Sequence, residues 1–157
     1  MPTWQRNPAS LPMSPLYKGL FRLQAFWKRS SRAPAGDPDK TQKITATLEL
    51  FGYSLMSHTR HEKFALLIGS GANGKSVLLG LLEALCVTEN ISGVQPSKFD
   101  SPFQRAHMQY KLVNIVTELK QGVVIADAEL KAITSGEPAT VEHKNKDPFV
   151  MRPYSTC

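Results

Sequence analysis

One stretch, Gly69-Ser-Gly-Ala-Asn-Gly-Lys-Ser76, limits what this chain can fold into more than any other. It fits the pattern G-x-x-x-x-G-K-[ST] and follows the apolar run Phe64 to Ile68, and its last two residues begin a second apolar segment, Lys75 to Cys86. A glycine-rich loop between a buried strand and a helix is the setting that this pattern requires. The sequence therefore predicts a strand, a phosphate-binding loop and a helix in direct succession.

This loop predicts a site for a nucleoside triphosphate. Its glycines permit backbone angles closed to other residues, so successive amides can surround phosphate oxygens at the positive end of the helix. Lys75 is predicted to reach the outer phosphates, and the hydroxyl of Ser76 is predicted to bind Mg²⁺. The predicted nucleotide-binding residues are Gly69, Ser70, Gly71, Ala72, Asn73, Gly74, Lys75 and Ser76. The alternative is a glycine-rich turn with no ligand.

Hydrolysis of a triphosphate also needs a group that orients the attacking water. The apolar run Leu112 to Val116 predicts a second buried strand, and Thr117 and Glu118 follow it. Ligands bind at this carboxyl edge in open α/β sheets, so Glu118 is predicted to be the catalytic carboxylate that polarises water. Thr117 stands where many P-loop enzymes have an aspartate. The alternative for Glu118 is an ordinary solvated carboxylate at the end of a strand.

The segments around these two strands have their own local signals. Residues 37–62 predict a helical lead-in that starts at Asp37-Pro38 and ends at Gly52. Residues 63–157 are then predicted to form the nucleotide-binding domain. Within it, Glu129 to Ser135 predicts a short helix that is closed by Gly136, and Thr140 to Met151 predicts two short strands around a turn.

The positive charge is concentrated at the N-terminus. The net charge is +6, and residues 1–36 contain six basic and no acidic side chains, so the other 13 basic and 13 acidic side chains balance. This proline-rich leader predicts one amphipathic helix from Ser14-Pro15 to about Lys28. A contact with a membrane surface, an organelle-targeting segment, a nucleic-acid contact and a helix packed on its own domain all remain open.

Several classes of protein are disfavoured. The apolar runs are too short to span a bilayer, and neither a secretory signal nor a metal-ligand spacing of cysteines and histidines is found. The sequence therefore predicts no membrane insertion and a reducing, cytoplasmic compartment.

With these features together, residues 37–157 closely resemble the helicase portion of phage and plasmid primases, which are superfamily-three helicases related to the AAA+ group. The resemblance rests on Gly52-Tyr53, the loop sequence, the strand that leads to Glu118, and Lys131 to Gly136 ahead of a basic hairpin. It implies an α/β P-loop NTPase fold, with a parallel sheet flanked by helices. It also implies ATP and Mg²⁺ as ligands and a ring, usually of six subunits, that moves single-stranded DNA in the bacterial cytoplasm.

The same resemblance implies that Lys144 and Lys146 contact DNA. The sequence also departs from the family in two respects. The sequence ends at Pro153-Tyr-Ser-Thr-Cys157, before the family's phosphate-sensing asparagine and arginine finger, and in the middle of a strand expected between the P-loop and Walker B strands. The chain is therefore expected to be an incomplete copy of a helicase module for mobile-element replication. The alternatives are a non-catalytic remnant that binds nucleotide or DNA, and a P-loop kinase or GTPase, although no N-K-x-D motif is present.

Overall fold

A computed structural model describes residues 38–68, 74–119, 122 and 124–157, and these form a mixed α/β structure. The predicted leader helix and the loop residues 69–73 lie outside this part of the chain. The helices are α1 (Lys40–Ser54), α2 (Lys75–Cys86), α3 (Pro102–Ala106) and α4 (Asp127–Ser135), and the strands are β1 (Ile91–Ser92), β2 (Val113–Asn114), β3 (Ala139–Val141) and β4 (Phe149–Met151). None of these helices has the length and apolar character needed to cross a membrane.

The lead-in helix α1 is confirmed, but both of its predicted ends are wrong. It begins at Lys40 with Asp39 at the N-cap, later than predicted from Asp37-Pro38. It also continues through Gly52, whose φ is not positive, to Ser54. The hydroxyl of Ser54 donates to the Leu50 carbonyl at 2.8 Å, which satisfies this fully buried group inside the last turn.

The first hydrophobic cluster joins α1, α2 and β2. Gly74 has φ 84° and ψ 4°, a left-handed conformation that favours glycine, and α2 begins directly after it. Leu82 and Cys86 of α2 pack with Phe51 of α1 and with Val113 and Ile115 at β2. Helix α2 is thereby held against the small parallel sheet.

That sheet contains β1 and β2 in parallel, with Ile91 opposite Val113 and Ser92 opposite Asn114. The strand predicted over Leu112 to Val116 is confirmed only over Val113–Asn114. Strand β1 was not predicted. Beside β2, on the side opposite β1, Thr156 forms an isolated parallel bridge to Val113.

The buried strand predicted at Phe64 to Ile68 is wrong. These residues form neither a helix nor a strand, and Phe64, Leu66 and Ile68 are 45%, 55% and 90% exposed. The amide of Ala65 donates to the Cys157 carbonyl at 2.7 Å. A β-ladder needs hydrogen bonds to a neighbouring strand along several residues, so this bond alone does not make residues 64–68 a strand.

The second hydrophobic cluster holds the C-terminal half together. Helix α4 and the β3–β4 hairpin are confirmed, although α4 begins two residues before the predicted Glu129. Gly136, with φ 71°, ends α4 as predicted. The cluster consists of Val94, Phe99, Ala106, Met108, Ile133, Val141 and Met151.

Candidate functional site

A cavity of about 600 Å³ brings together the two segments that were predicted to act on a nucleotide. Its lining includes Lys75 and Ser76 from the start of α2, and Thr117 and Glu118 from the segment after β2. These pairs are 41 positions or more apart in the sequence. The tertiary structure therefore places Lys75 and Ser76 of the predicted phosphate-binding loop around one space with Glu118, the predicted catalytic carboxylate.

Helix α2 begins at this space, since Lys75 and Ser76 of its first turn line the cavity. Gly74 accepts from the amide of Leu78 at 3.0 Å, while the amides of Ser76 and Val77 have no partner among the described residues. Free amides in the first turn give a helix its positive end, where anions bind. The side chain of Lys75 is half-buried and that of Ser76 is exposed. Gly69, Ser70, Gly71, Ala72 and Asn73, the first part of the predicted loop, lie outside the described residues.

Glu118 lies just beyond β2, where it is exposed and lines the cavity. It makes no hydrogen bond or ion pair with any residue that the structure describes. A carboxylate of this kind can accept hydrogen bonds from water. Because β2 ends at Asn114, the position of Glu118 depends on how firmly β2 is held.

Asn114 supplies this support through a buried network. Its Oδ1 accepts from Ser92 Oγ at 2.9 Å and from the Val94 amide at 2.8 Å. Its Nδ2 donates to the Val94 carbonyl at 2.9 Å. The side-chain amide of Asn114 thus pairs with the backbone of Val94, just after β1, as the backbone of a neighbouring strand would. In the sequence, Asn114 is a polar residue in the centre of an apolar run. The prediction gave this residue no role.

A second group that was missed is Thr156, which also lines the cavity. The residue is 4% exposed, and its Oγ1 has no hydrogen-bond partner among the described residues. An unpaired buried hydroxyl costs free energy, so Thr156 is an uncompensated polar residue in the wall of the cavity. Nothing in the local sequence indicates that this hydroxyl is buried without a partner.

The predicted DNA contacts lie in the β3–β4 turn and do not line the cavity. Lys144 and Lys146 are exposed on either side of Asn145, which has φ 60°. The turn is closed by the Lys146 amide, which donates to the carbonyl of His143 at 3.0 Å. The His143 ring stacks on Phe149 with centroids 5.3 Å apart, which supports the base of the turn.

Other types of catalytic centre find little support in the described residues. No group of three or more histidine, cysteine, aspartate or glutamate side chains could hold a metal ion there. His58 and His61 lie near the Tyr53 ring, at 5.4 and 5.3 Å between centroids, and form an aromatic cluster. Burial raises the pKa of Cys86, and it raises the pKa of Cys157 to about 12, so neither thiol is a ready nucleophile.

A comparison with protein families matches residues 67–157, more than half of the chain, to DUF5906, described as a family of unknown function. The matched part includes Lys75, Ser76, Glu118, the hairpin lysines and Thr156. All of the predicted site residues therefore lie within the family domain.

Proposed function

We propose that this chain, which belongs to the DUF5906 family of unknown function, binds ATP with Mg²⁺ through residues 69–76, as a P-loop domain of the AAA+ type. The observation that carries the proposal is the shared cavity of Lys75, Ser76 and Glu118. Its volume of about 600 Å³ suits a small-molecule ligand, since such pockets commonly measure roughly 300 to 1,000 Å³.

Each residue would have a separate task in this site. The ammonium of Lys75 would neutralise the outer phosphates, and the backbone amides at the start of α2 would donate hydrogen bonds to the phosphate oxygens. The Ser76 hydroxyl would bind Mg²⁺, which supplies charge neutralisation between the last two phosphates. Glu118, which is free of protein partners in the described structure, would orient the attacking water.

The larger role that we propose is that of a helicase module of a phage or plasmid primase, acting on single-stranded DNA in the bacterial cytoplasm during mobile-element replication. Lys144 and Lys146 support it, since two exposed cations on one turn can contact DNA phosphates without reading bases. In the resembled family such modules act as rings, usually hexamers. The second candidate is a non-catalytic remnant that binds nucleotide or DNA. The same cavity could hold the nucleotide, and the same turn could contact the DNA.

Titration of the chain with a fluorescent ATP analogue, in Mg²⁺ and then in excess EDTA, tests nucleotide binding. We expect Lys75→Ala to weaken binding at least about tenfold, because a charge-assisted hydrogen bond to phosphate is lost. Lys98→Ala is the matched control, since Lys98 is exposed and does not line the cavity. Equal affinities for Lys75→Ala and the parent would refute the assignment of this loop.

Two further measurements separate the alternatives. Competition by GTP against ATP tests the kinase or GTPase class, for which we expect no preference for GTP. The steady-state rate of ATP hydrolysis, with and without single-stranded DNA, distinguishes the helicase module from the remnant. Stimulation by DNA would support the module, and binding without any turnover would support the remnant.

A further inference from the structure

The loop after α1, residues 55–63, packs around the ring of Tyr53. The hydroxyl of Tyr53 accepts a hydrogen bond from the His61 amide at 3.3 Å, and its ring centroid lies 5.4 Å from that of His58 and 5.3 Å from that of His61. The two imidazole rings are 6.4 Å apart and meet edge to face at 69°. We call Tyr53, His58 and His61 the ring cluster. Because His61 is exposed, the cluster presents an aromatic ring at the surface.

Hydrogen bonds and packing fix the backbone of this loop. The Glu62 amide donates to the Thr59 carbonyl at 2.9 Å, and the Arg60 amide donates to Nδ1 of His58 at 3.4 Å. Thr59 also lies against Gly136 at the end of α4, where a Cβ added to the glycine would come within 2.5 Å of the threonine hydroxyl. The rings are therefore in place before a ligand arrives, which lowers the entropy cost of binding.

Basic side chains flank the ring cluster. Arg60 and Lys63 are both exposed, and neither side chain makes a hydrogen bond or an ion pair with a residue that the structure describes. Glu62 is the only acidic residue between Glu49 and Glu83 in the sequence. The loop thus combines an excess of positive charge with an exposed aromatic ring.

We propose that the ring cluster and its two basic neighbours bind single-stranded nucleic acid. A base stacks on the exposed ring of His61, and the adjoining phosphates contact Arg60 and Lys63. This surface is separate from the two sites described above, because neither Tyr53 nor any of residues 55–63 lines the cavity, and the hairpin lysines belong to another segment. The inference extends the proposed role in DNA binding to a second surface, and it depends on neither the nucleotide nor the hairpin.

The combination of a ring with two cations selects this class of ligand. The bases of a single strand can unstack and place their π-faces on aromatic side chains, while phosphates pair with arginine and lysine at any sequence. In a duplex, neighbouring base pairs cover those faces. An acidic peptide would pair with the cations but offers no base to the ring, and a hydrocarbon would cover the ring but not the cations.

Fluorescence anisotropy with two labelled strands of about 15 nucleotides tests the proposal. One is ordinary single-stranded DNA, and the other has the same phosphates but abasic sugars throughout. The protein is the full chain with Lys144→Ala and Lys146→Ala, so that the hairpin adds no cations. We expect the abasic strand to bind at least about fivefold more weakly, because it cannot stack.

Three variants in this background assign the contacts. His61→Ala is expected to weaken binding of the ordinary strand at least about fivefold and to change binding of the abasic strand less than about twofold. His61→Phe, which keeps a ring, is expected to restore binding. Arg60→Ala together with Lys63→Ala is expected to weaken both strands and to reduce the salt slope by about 1.4. Lys98→Ala, which removes an exposed cation elsewhere, is the control and is expected to leave the slope unchanged.

Several results would overturn the proposal. One is equal binding of the ordinary and abasic strands, or an equal effect of His61→Ala on both. Another is competition by polyglutamate as strong as that by the ordinary strand, which would show that the loop recognises negative charge alone. A third is binding by the parent at about 50 mM salt but none by the background without the hairpin lysines, in which case the proposed hairpin contact stands and the loop is not a site.

Discussion

Removal of the Asn114 side chain is expected to destabilise the protein more than most single substitutions. In Asn114→Ala, the amide and carbonyl of Val94 both lose their partner, and Val94 is 4% exposed. Each buried unsatisfied backbone group costs about 1 to 3 kcal/mol, so the expected loss is about 2 to 6 kcal/mol. The Ser92 hydroxyl adds less, because it also reaches the Val113 carbonyl at 3.5 Å.

Urea unfolding followed by circular dichroism measures this loss. With a slope of about 2 kcal/mol per M, the midpoint of Asn114→Ala is expected about 1 to 3 M below that of the parent. Gln104→Ala is the control, since Gln104 is exposed on α3, and its free energy of unfolding is expected to change by less than about 0.5 kcal/mol. A loss equally small for Asn114→Ala would refute the network as a source of stability.

Asn114→Asp tests the donor in the same network by pH. The carboxylate keeps an acceptor for the Val94 amide but places negative charge 2.9 Å from the Val94 carbonyl, where Nδ2 donates in the parent. This raises the folded-state pKa of the new carboxyl above its unfolded value of about 3.9. The contribution of the protonated form is then fully present below that unfolded value and is lost as pH rises through the folded value. The deficit relative to the parent should therefore shrink on acidification, and a constant deficit would contradict the argument.

Three other outcomes are expected. Where the parent hydrolyses ATP, Glu118→Gln should keep its ATP affinity and lower turnover at least about a hundredfold, because water orientation acts in the transition state; unchanged turnover would move this role elsewhere. Gly136→Ala should lower the free energy of unfolding by about 1 to 3 kcal/mol, and with it the thermal midpoint, since φ is 71° and the new Cβ would lie 2.5 Å from a threonine hydroxyl. Its control, Gly80→Ala in the interior of α2, has open space and should raise the midpoint. Replacement of Lys144 and Lys146 together by alanine should weaken binding to single-stranded DNA and reduce its salt slope by about 1.4, and an unchanged slope would exclude phosphate contacts by this turn.

The sequence alone determined the elements that local chemistry specifies. Helix α2 follows Gly74, whose left-handed conformation the glycine permits. Helix α4 ends at Gly136 for the same reason, and the β3–β4 hairpin forms around the turn at Lys144 to Lys146. The prediction of Lys75 and Ser76 as site residues came from their place in the loop pattern. In each case, the signal lies within a few residues of the feature that it predicts.

Only the tertiary structure decided which apolar runs became strands and which distant residues meet. Leu112 to Val116 contributes β2 because β1 and Thr156 supply partners on both sides, whereas Phe64 to Ile68 makes a single backbone hydrogen bond to the other described residues and forms no ladder with them. The same folding places Glu118 around one cavity with Lys75. A strand is made by hydrogen bonds to residues far away in the sequence, so an apolar run can indicate burial but cannot name the neighbour that turns it into a sheet.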